Sequence, residues 1–192
     1  GSPAKVAWSG VETIAKAVSM LMDPSIENIS VKLGNGHKVR NFYNNIIDPD
    51  SDRGDVTIDT HAVAAATLTP VSGNSIETAH NFGQTPKPAG TAKGASSNAA
   101  TGTNGMYPFY AEAYRRAAEQ RGIQPREMQS VTWEAARSLF PQSWKSAANI
   151  GAVRDIWRDY KEGRISRPQA RRRVLDYAKG IPEPGWARQR PA

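Results

Sequence analysis

Two-residue alternation of β-branched and polar side chains is almost absent from this chain. Apolar residues instead recur at spacings of three and four, between glycine and proline stops. A strand needs the first pattern and a helix the second, so the expected fold class is all-α. Residues 11–22 (VETIAKAVSMLM) set Val11, Ile14, Ala15, Val18, Leu21 and Met22 on one face, and Asp23-Pro24 stops that helix. A short helix over 25–33 leads to the turn Gly34-Asn35-Gly36, then to a helix over 37–47. An acidic loop, 48–55, precedes Val56-Thr57-Ile58, and Asp59-Thr60 opens an alanine-rich helix that stops near Pro70. Further on, the pattern predicts helices over 107–121, 125–140, 144–162 and 166–179, the second turning Met128, Val131, Ala135 and Leu139 inward. The tail from Gly180 reads as irregular.

Between residues 72 and 106 glycine, serine, threonine, asparagine, alanine and proline dominate and no period survives. Such a stretch cannot bury enough apolar surface to offset the cost of ordering it. It reads as a flexible insertion, either a surface loop without a role or a lid over a substrate. The chain of 192 residues is thus expected to be one helical domain, 3–192, with that insertion inside it. The opening Gly1-Ser2, with no initiator methionine, reads as a cleavage remnant of a longer protein.

Charge is divided unevenly. Residues 1–100 carry 8 Lys/Arg against 9 Asp/Glu, and residues 101–192 carry 17 against 9. The whole positive excess lies in the second half, including Arg171-Arg172-Arg173 of the last helix, and a field of that sign suits a polyanion or an acidic protein. The other reading is a solvated basic face. With no cysteine, disulfides, thiolate catalysis and cysteine-bound metals are excluded. Only His37, His61 and His80 remain as imidazole ligands and none shares a metal-ligand spacing, so no metal or cofactor is expected. No apolar run approaches the roughly 20 residues that span a bilayer, so no membrane partner is expected.

The informative stretch is 24–68. A glycine turn between two short helices exposes backbone N–H groups at the start of the second, where a phosphate can sit; this puts Gly34, Gly36, His37 and Arg40 forward as nucleic-acid contacts. About twenty residues later Ile58-Asp59-Thr60-His61 opens the next helix. That order resembles the helix-hairpin-helix superfamily of DNA base-excision glycosylases, in which a hairpin of the type L-P-G-V-G-x-K is followed by V-D-T-H. The matching residues are Leu33, Gly34, Gly36 and Lys38, then Ile58, Asp59, Thr60 and His61. The resemblance covers about 45 residues, and Asp-Thr-His is its most specific part. It implies a glycosylase-like helical fold and an enzyme that cleaves the N-glycosidic bond of a nucleobase in DNA. It places Asp59 on the catalytic aspartate and Lys38 on the lysine that attacks the sugar in members with lyase activity. DNA is then the partner.

Each of these residues also has an ordinary reading. Asp-Thr is a good helix N-cap. Lys38 suits a phosphate contact as well as an amine nucleophile, which would need burial near cations. His61 fits a hydrogen bond to the site or a structural one. Asn41, Tyr43, Asn44 and Asn45 crowd one helix, where asparagine is unfavourable; Tyr43 and Asn45 could stack on and read a base, or the amides could bond the backbone locally. Gln129 and Trp133 share a helical face and would offer an aromatic plate beside an amide for an extruded base, or Trp133 packs in the core. Glu134 is a second candidate acid or base, or a surface partner of Arg137 or Lys145. Arg171 and Arg172 are expected to meet phosphates.

Three function classes follow. The first is the glycosylase-like enzyme; one setting is the toxin domain of a larger secreted bacterial protein, acting in the cytoplasm and countered by an immunity protein. The second is a non-catalytic helix-hairpin-helix module that binds nucleic acid through phosphates. The third is a helical adaptor for an acidic protein.

Overall fold

The computed structural model describes residues 10–34, 36–71 and 105–180. Among them are eight α-helices, one 3-10 turn and no strand, so the all-α expectation holds at the level of class. The helices are α1 (Val11–Met22), α2 (Ile26–Leu33), α3 (His37–Ile47), α4 (Thr60–Thr67), α5 (Tyr107–Glu119), α6 (Pro125–Leu139), α7 (Ala147–Lys161) and α8 (Arg167–Ala178). The expected insertion lies outside the described residues except for Gly105 and Met106, as do the tail beyond Gly180 and the first nine residues. No helix among the described residues is long and apolar enough to cross a membrane.

Helix starts follow capping chemistry. Ser25 caps α2 through Asn28 N, Ser146 caps α7 through Asn149 N, and Ser166 with Gln169 forms a reciprocal capping box on α8. The Ser146 cap explains the one displaced start: the expected helix from 144 begins at Ala147, and Gln142–Trp144 forms the 3-10 turn before it. Leu68 closes α4 in a left-handed conformation (φ 47°), uncommon for a branched residue, and its carbonyl accepts from Trp157 Nε1 at 3.2 Å.

The core forms where α4 packs on α6, α5 on α6 and α5 on α4, with the α7–α8 pair joined to them. Val56, Ile58, Val63, Phe140, Val153 and Val174 are its largest fully buried side chains. On α6 the inward face differs from expectation by one position. Met128 and Ala136 are buried, whereas Val131 and Ala135 are exposed. The Thr132 hydroxyl reaches the Tyr114 hydroxyl at 3.0 Å and Trp133 turns toward α4, which fixes that rotation. The stripe on α1 is regular as expected but carries no buried residue, and neither do α2 and α3.

A buried non-helical segment, Val56–Ile58, runs through this protein with no strand beside it among the described residues. Three of its backbone groups bond to side chains. Val56 N donates to Asn41 Oδ1 (3.2 Å), Val56 O accepts from the Tyr107 hydroxyl (2.8 Å), and the same hydroxyl oxygen accepts from Ile58 N (3.1 Å). An unpaired buried backbone group costs about as much as a lost hydrogen bond, so these contacts are obligatory. Tyr107→Phe keeps the ring and removes both bonds. It should destabilise the protein by about 2 kcal/mol, read as a lower urea midpoint with an unchanged slope.

Between α7 and α8, Asp159 is buried and accepts from Arg164 Nη2 (2.6 Å) and Arg173 Nη1 (3.2 Å). Burial pushes its carboxyl upward, but the hydrogen bonds and charges of the two guanidinium groups outweigh this and hold it below the ordinary 3.8. A carboxylate lowered on folding stabilises fully above its unfolded value. That contribution should be lost as pH falls below 3.8 through the folded value. Acid titration of thermal stability should show it, and Asp159→Asn should be less stable at neutral pH with a flatter acid limb.

Candidate functional site

The Leu33–Lys38 turn is held by one side chain. Arg40 donates through Nη1 to Ser30 Oγ (2.7 Å) and through Nη2 to Ser30 O (2.8 Å) and Gly34 O (2.9 Å). Its guanidinium therefore fastens the C-terminal end of α2 to α3 rather than standing open to a ligand. Gly34 has φ 72°, a value that favours glycine, whereas Gly36 has φ −65° and needs none. His37 stacks on Tyr107 with ring centroids 5.3 Å apart. Lys38, in the first turn of α3, is exposed. The hairpin thus abuts Tyr107, which in turn holds the segment leading into Asp59.

Asp59 is the N-cap of α4. Its Oδ1 accepts from His61 N (3.0 Å) and Ala62 N (2.9 Å), and its Oδ2 lies 3.1 Å from His61 Nδ1. An ionised carboxylate only accepts, so Nδ1 carries the proton and Nε2 is the acceptor of a neutral ring. Three of the roughly four lone-pair sites of the carboxylate are thereby filled, and the fourth has no partner among the described residues. The ring of His61 meets Trp133 edge-on at 5.5 Å, and Arg137 Cζ lies 4.9 Å over the Trp133 ring. Glu134 is exposed and 4.0 Å from Arg137.

The structure therefore gathers Asp59, His61 and Trp133 into one cluster with Arg137, a residue that sequence reasoning considered only as a partner of Glu134. The signal was present in the spacing, since residues 133 and 137 are four apart on one helix. Gln129 is half-buried on the same helix, and its carbonyl accepts from the Thr132 hydroxyl at 3.1 Å. Asn45 lies elsewhere, donating to Thr57 Oγ1 at 3.3 Å, so with Asn41 it supports the 56–58 segment; Tyr43 is half-buried on the same helix. Arg171 and Arg172 are exposed on α8, while Arg173 turns to Asp159.

Behind the cluster Tyr114 donates to Ala62 O at 3.1 Å. Burial raises the hydroxyls of Tyr107 and Tyr114 above the ordinary 10.0, so both keep their protons and serve as fixed donors. Among the described residues no group of three His, Asp or Glu gathers to hold a metal.

The two hairpin glycines should respond differently to alanine. No neighbour crowds either position. Gly34→Ala meets only the conformational cost of positive φ, about 1 kcal/mol, which should speed amide exchange across α2 and α3 roughly fivefold. Gly36→Ala should change exchange by less than about twofold, the lower chain entropy offsetting the poorer N-cap.

A family of unknown function, DUF7178, matches residues 88–140, a stretch that takes in α5 and α6. No curated protein and no solved structure matches the chain.

Proposed function

We propose that the chain cleaves the N-glycosidic bond of a nucleobase in DNA, with Asp59 as the reacting carboxylate on a helix-hairpin-helix glycosylase-like scaffold. The observation that carries this reading is the Asp59 carboxylate itself. It is fixed at the head of α4 by two backbone N–H groups and by His61, whose ring in turn meets Trp133.

Breaking this bond builds positive charge on the sugar and negative charge on the leaving base. A carboxylate that cannot swing away stabilises the sugar cation without reorganising as the bond breaks. His61, oriented through Nδ1, presents Nε2 as an acceptor for the proton of an attacking water. Arg137, which lies over Trp133, supplies a cation for a phosphate, and in swinging to it would free that ring face for a base taken out of the stack. The open position of Lys38 suits a phosphate contact, with water as the nucleophile, because no apolar wall surrounds its amine. Glu134, exposed and facing Arg137, is the weaker candidate acid or base.

A second reading has its own support: two of the three bonds Asp59 accepts are those of a well-made N-cap. The chain would then be a non-catalytic module that binds nucleic acid through phosphates.

The test is incubation with duplexes bearing undamaged, deaminated or methylated bases, followed by alkali. Alkali-labile breaks are expected with at least one duplex. Asp59→Asn keeps an oxygen for the cap and removes the charge, so activity should fall by at least about 100-fold with helical circular dichroism unchanged. Exchanging both Arg171 and Arg172 for Ala should flatten the salt dependence of binding by about 2. Full activity in Asp59→Asn would return that residue to capping. Intact DNA with steep salt-dependent binding would favour the binding module.

A further inference from the structure

α4 is a smooth helix. Its sequence THAVAAAT is half alanine, and the residues it buries are Ala62, Val63 and Ala64. Packed helices hold their register by setting side-chain ridges into grooves, and alanine ridges are shallow. Beside its second turn the packing is open. A cavity of about 240 Å³ lies between Ala65 and Ala66 of α4 and Ala113 and Ala117 of α5, and Tyr114 and Thr132 also line it. Apolar interlocking thus leaves the rotation and slide of α4 weakly set, and polar ties must set them. Trp157 Nε1 donates to Leu68 O at the end of the helix (3.2 Å), and the Tyr114 hydroxyl donates to Ala62 O in its first turn (3.1 Å).

The second tie belongs to a closed circuit. Asp59 Oδ1 accepts from Ala62 N, Ala62 O accepts from the Tyr114 hydroxyl, and the Tyr114 oxygen accepts from the Thr132 hydroxyl at 3.0 Å. Trp133, the next residue on α6, meets the ring of His61, whose Nδ1 donates back to Asp59 Oδ2. Tyr114 is 5% exposed and stands on α5, 52 residues from Ala62 and 18 from Thr132. Its one oxygen donates to α4 and accepts from α6, so a single atom bridges the two helices that carry the cluster. Burial and, to a lesser degree, the nearby charge of Asp59 keep that hydroxyl protonated against the opposing bond from Thr132.

We propose that Tyr114 is the positioning residue of this site, its hydroxyl fixing α4 against α6 and so setting how the His61–Asp59 pair faces Trp133. Only the effect on catalysis rests on the chemistry assigned to Asp59; the effect on ring geometry does not. Tyr114→Phe keeps the ring and removes both bonds. A residue that merely supports the fold would lower stability and leave the site of the folded molecules as it was. A positioning residue moves the site.

The ring-proton shifts of His61 in nuclear magnetic resonance read that movement, because the indole beside it displaces them through its ring current. The chain has three histidines, and the signals lost in His61→Gln identify the right one. At fixed pH and well below the unfolding transition, Tyr114→Phe should move these shifts toward those of Trp133→Leu. Thr132→Val removes the donor from the other side and should move them the same way, whereas Thr132→Ser keeps the hydroxyl and should leave them unmoved. Combining Tyr114→Phe with Thr132→Val should move them no further than Tyr114→Phe alone, since both break one link. Asp159→Asn, which loosens α7 and α8 instead, should leave them in place. With a duplex that the unaltered protein cleaves, Tyr114→Phe should lower kcat by about 10–100-fold and change KM by less than about twofold. Unmoved His61 shifts in both Tyr114→Phe and Thr132→Val would overturn the proposal, as would an unchanged kcat in Tyr114→Phe. If no duplex is cleaved, the reading of Asp59 as the reacting group fails alone, and the His61 shifts still decide the role of Tyr114.

Discussion

A single phenol hydroxyl holds the centre of this protein. The buried non-helical segment Val56–Ile58 has no strand beside it among the described residues, and the Tyr107 hydroxyl stands in for a ladder by donating to Val56 O while accepting from Ile58 N. What depends on it is the position of Asp59, the next residue along, and hence the direction in which α4 leaves. The ring of the same tyrosine supports His37, so the hairpin is seated by the group that positions the carboxylate. Stability and the geometry of the candidate site are here one physical problem.

The carboxylate of Asp59 has a double use. Its Oδ1 closes the exposed N–H groups of α4, and its Oδ2 orients an imidazole. A helix N-terminus is a favourable place for a negative charge, so fixing the charge there costs the fold little. The result is a preorganised anion of the kind that bond cleavage at a sugar would use.

Element boundaries were legible in the sequence because they rest on local chemistry. Asp23-Pro24, Ser25, Gly122 and Ser166 act within a few residues of themselves, and the helices end or begin where they stand. The Asp59 cap was legible for the same reason. The role of the asparagines in α3 was not, because their partners, Val56 and Thr57, are 15 and 12 residues distant and only the folded chain brings them together. Arg40 read as a phosphate contact for a similar reason: a guanidinium beside a glycine turn is ambiguous until the carbonyls of Ser30 and Gly34 are seen to occupy it. The stripe of α1 shows the limit of periodicity, which tells that one face is apolar and not what covers it.

The partners of α4 and the chain just after it also set an order of assembly. Ala62 bonds to Tyr114, Leu68 to Trp157 and Val71 to Lys145, separations of 52, 89 and 74 residues. Helical proteins usually fold fast because their contacts are local. Here the helices can form early, but the core cannot close until residue 157 has left the ribosome, and at about 5–20 residues per second that is a delay of several seconds. For that interval the alanine-rich α4 waits without its later partners, and the time during which the nascent chain is open to aggregation is set by synthesis rather than by folding.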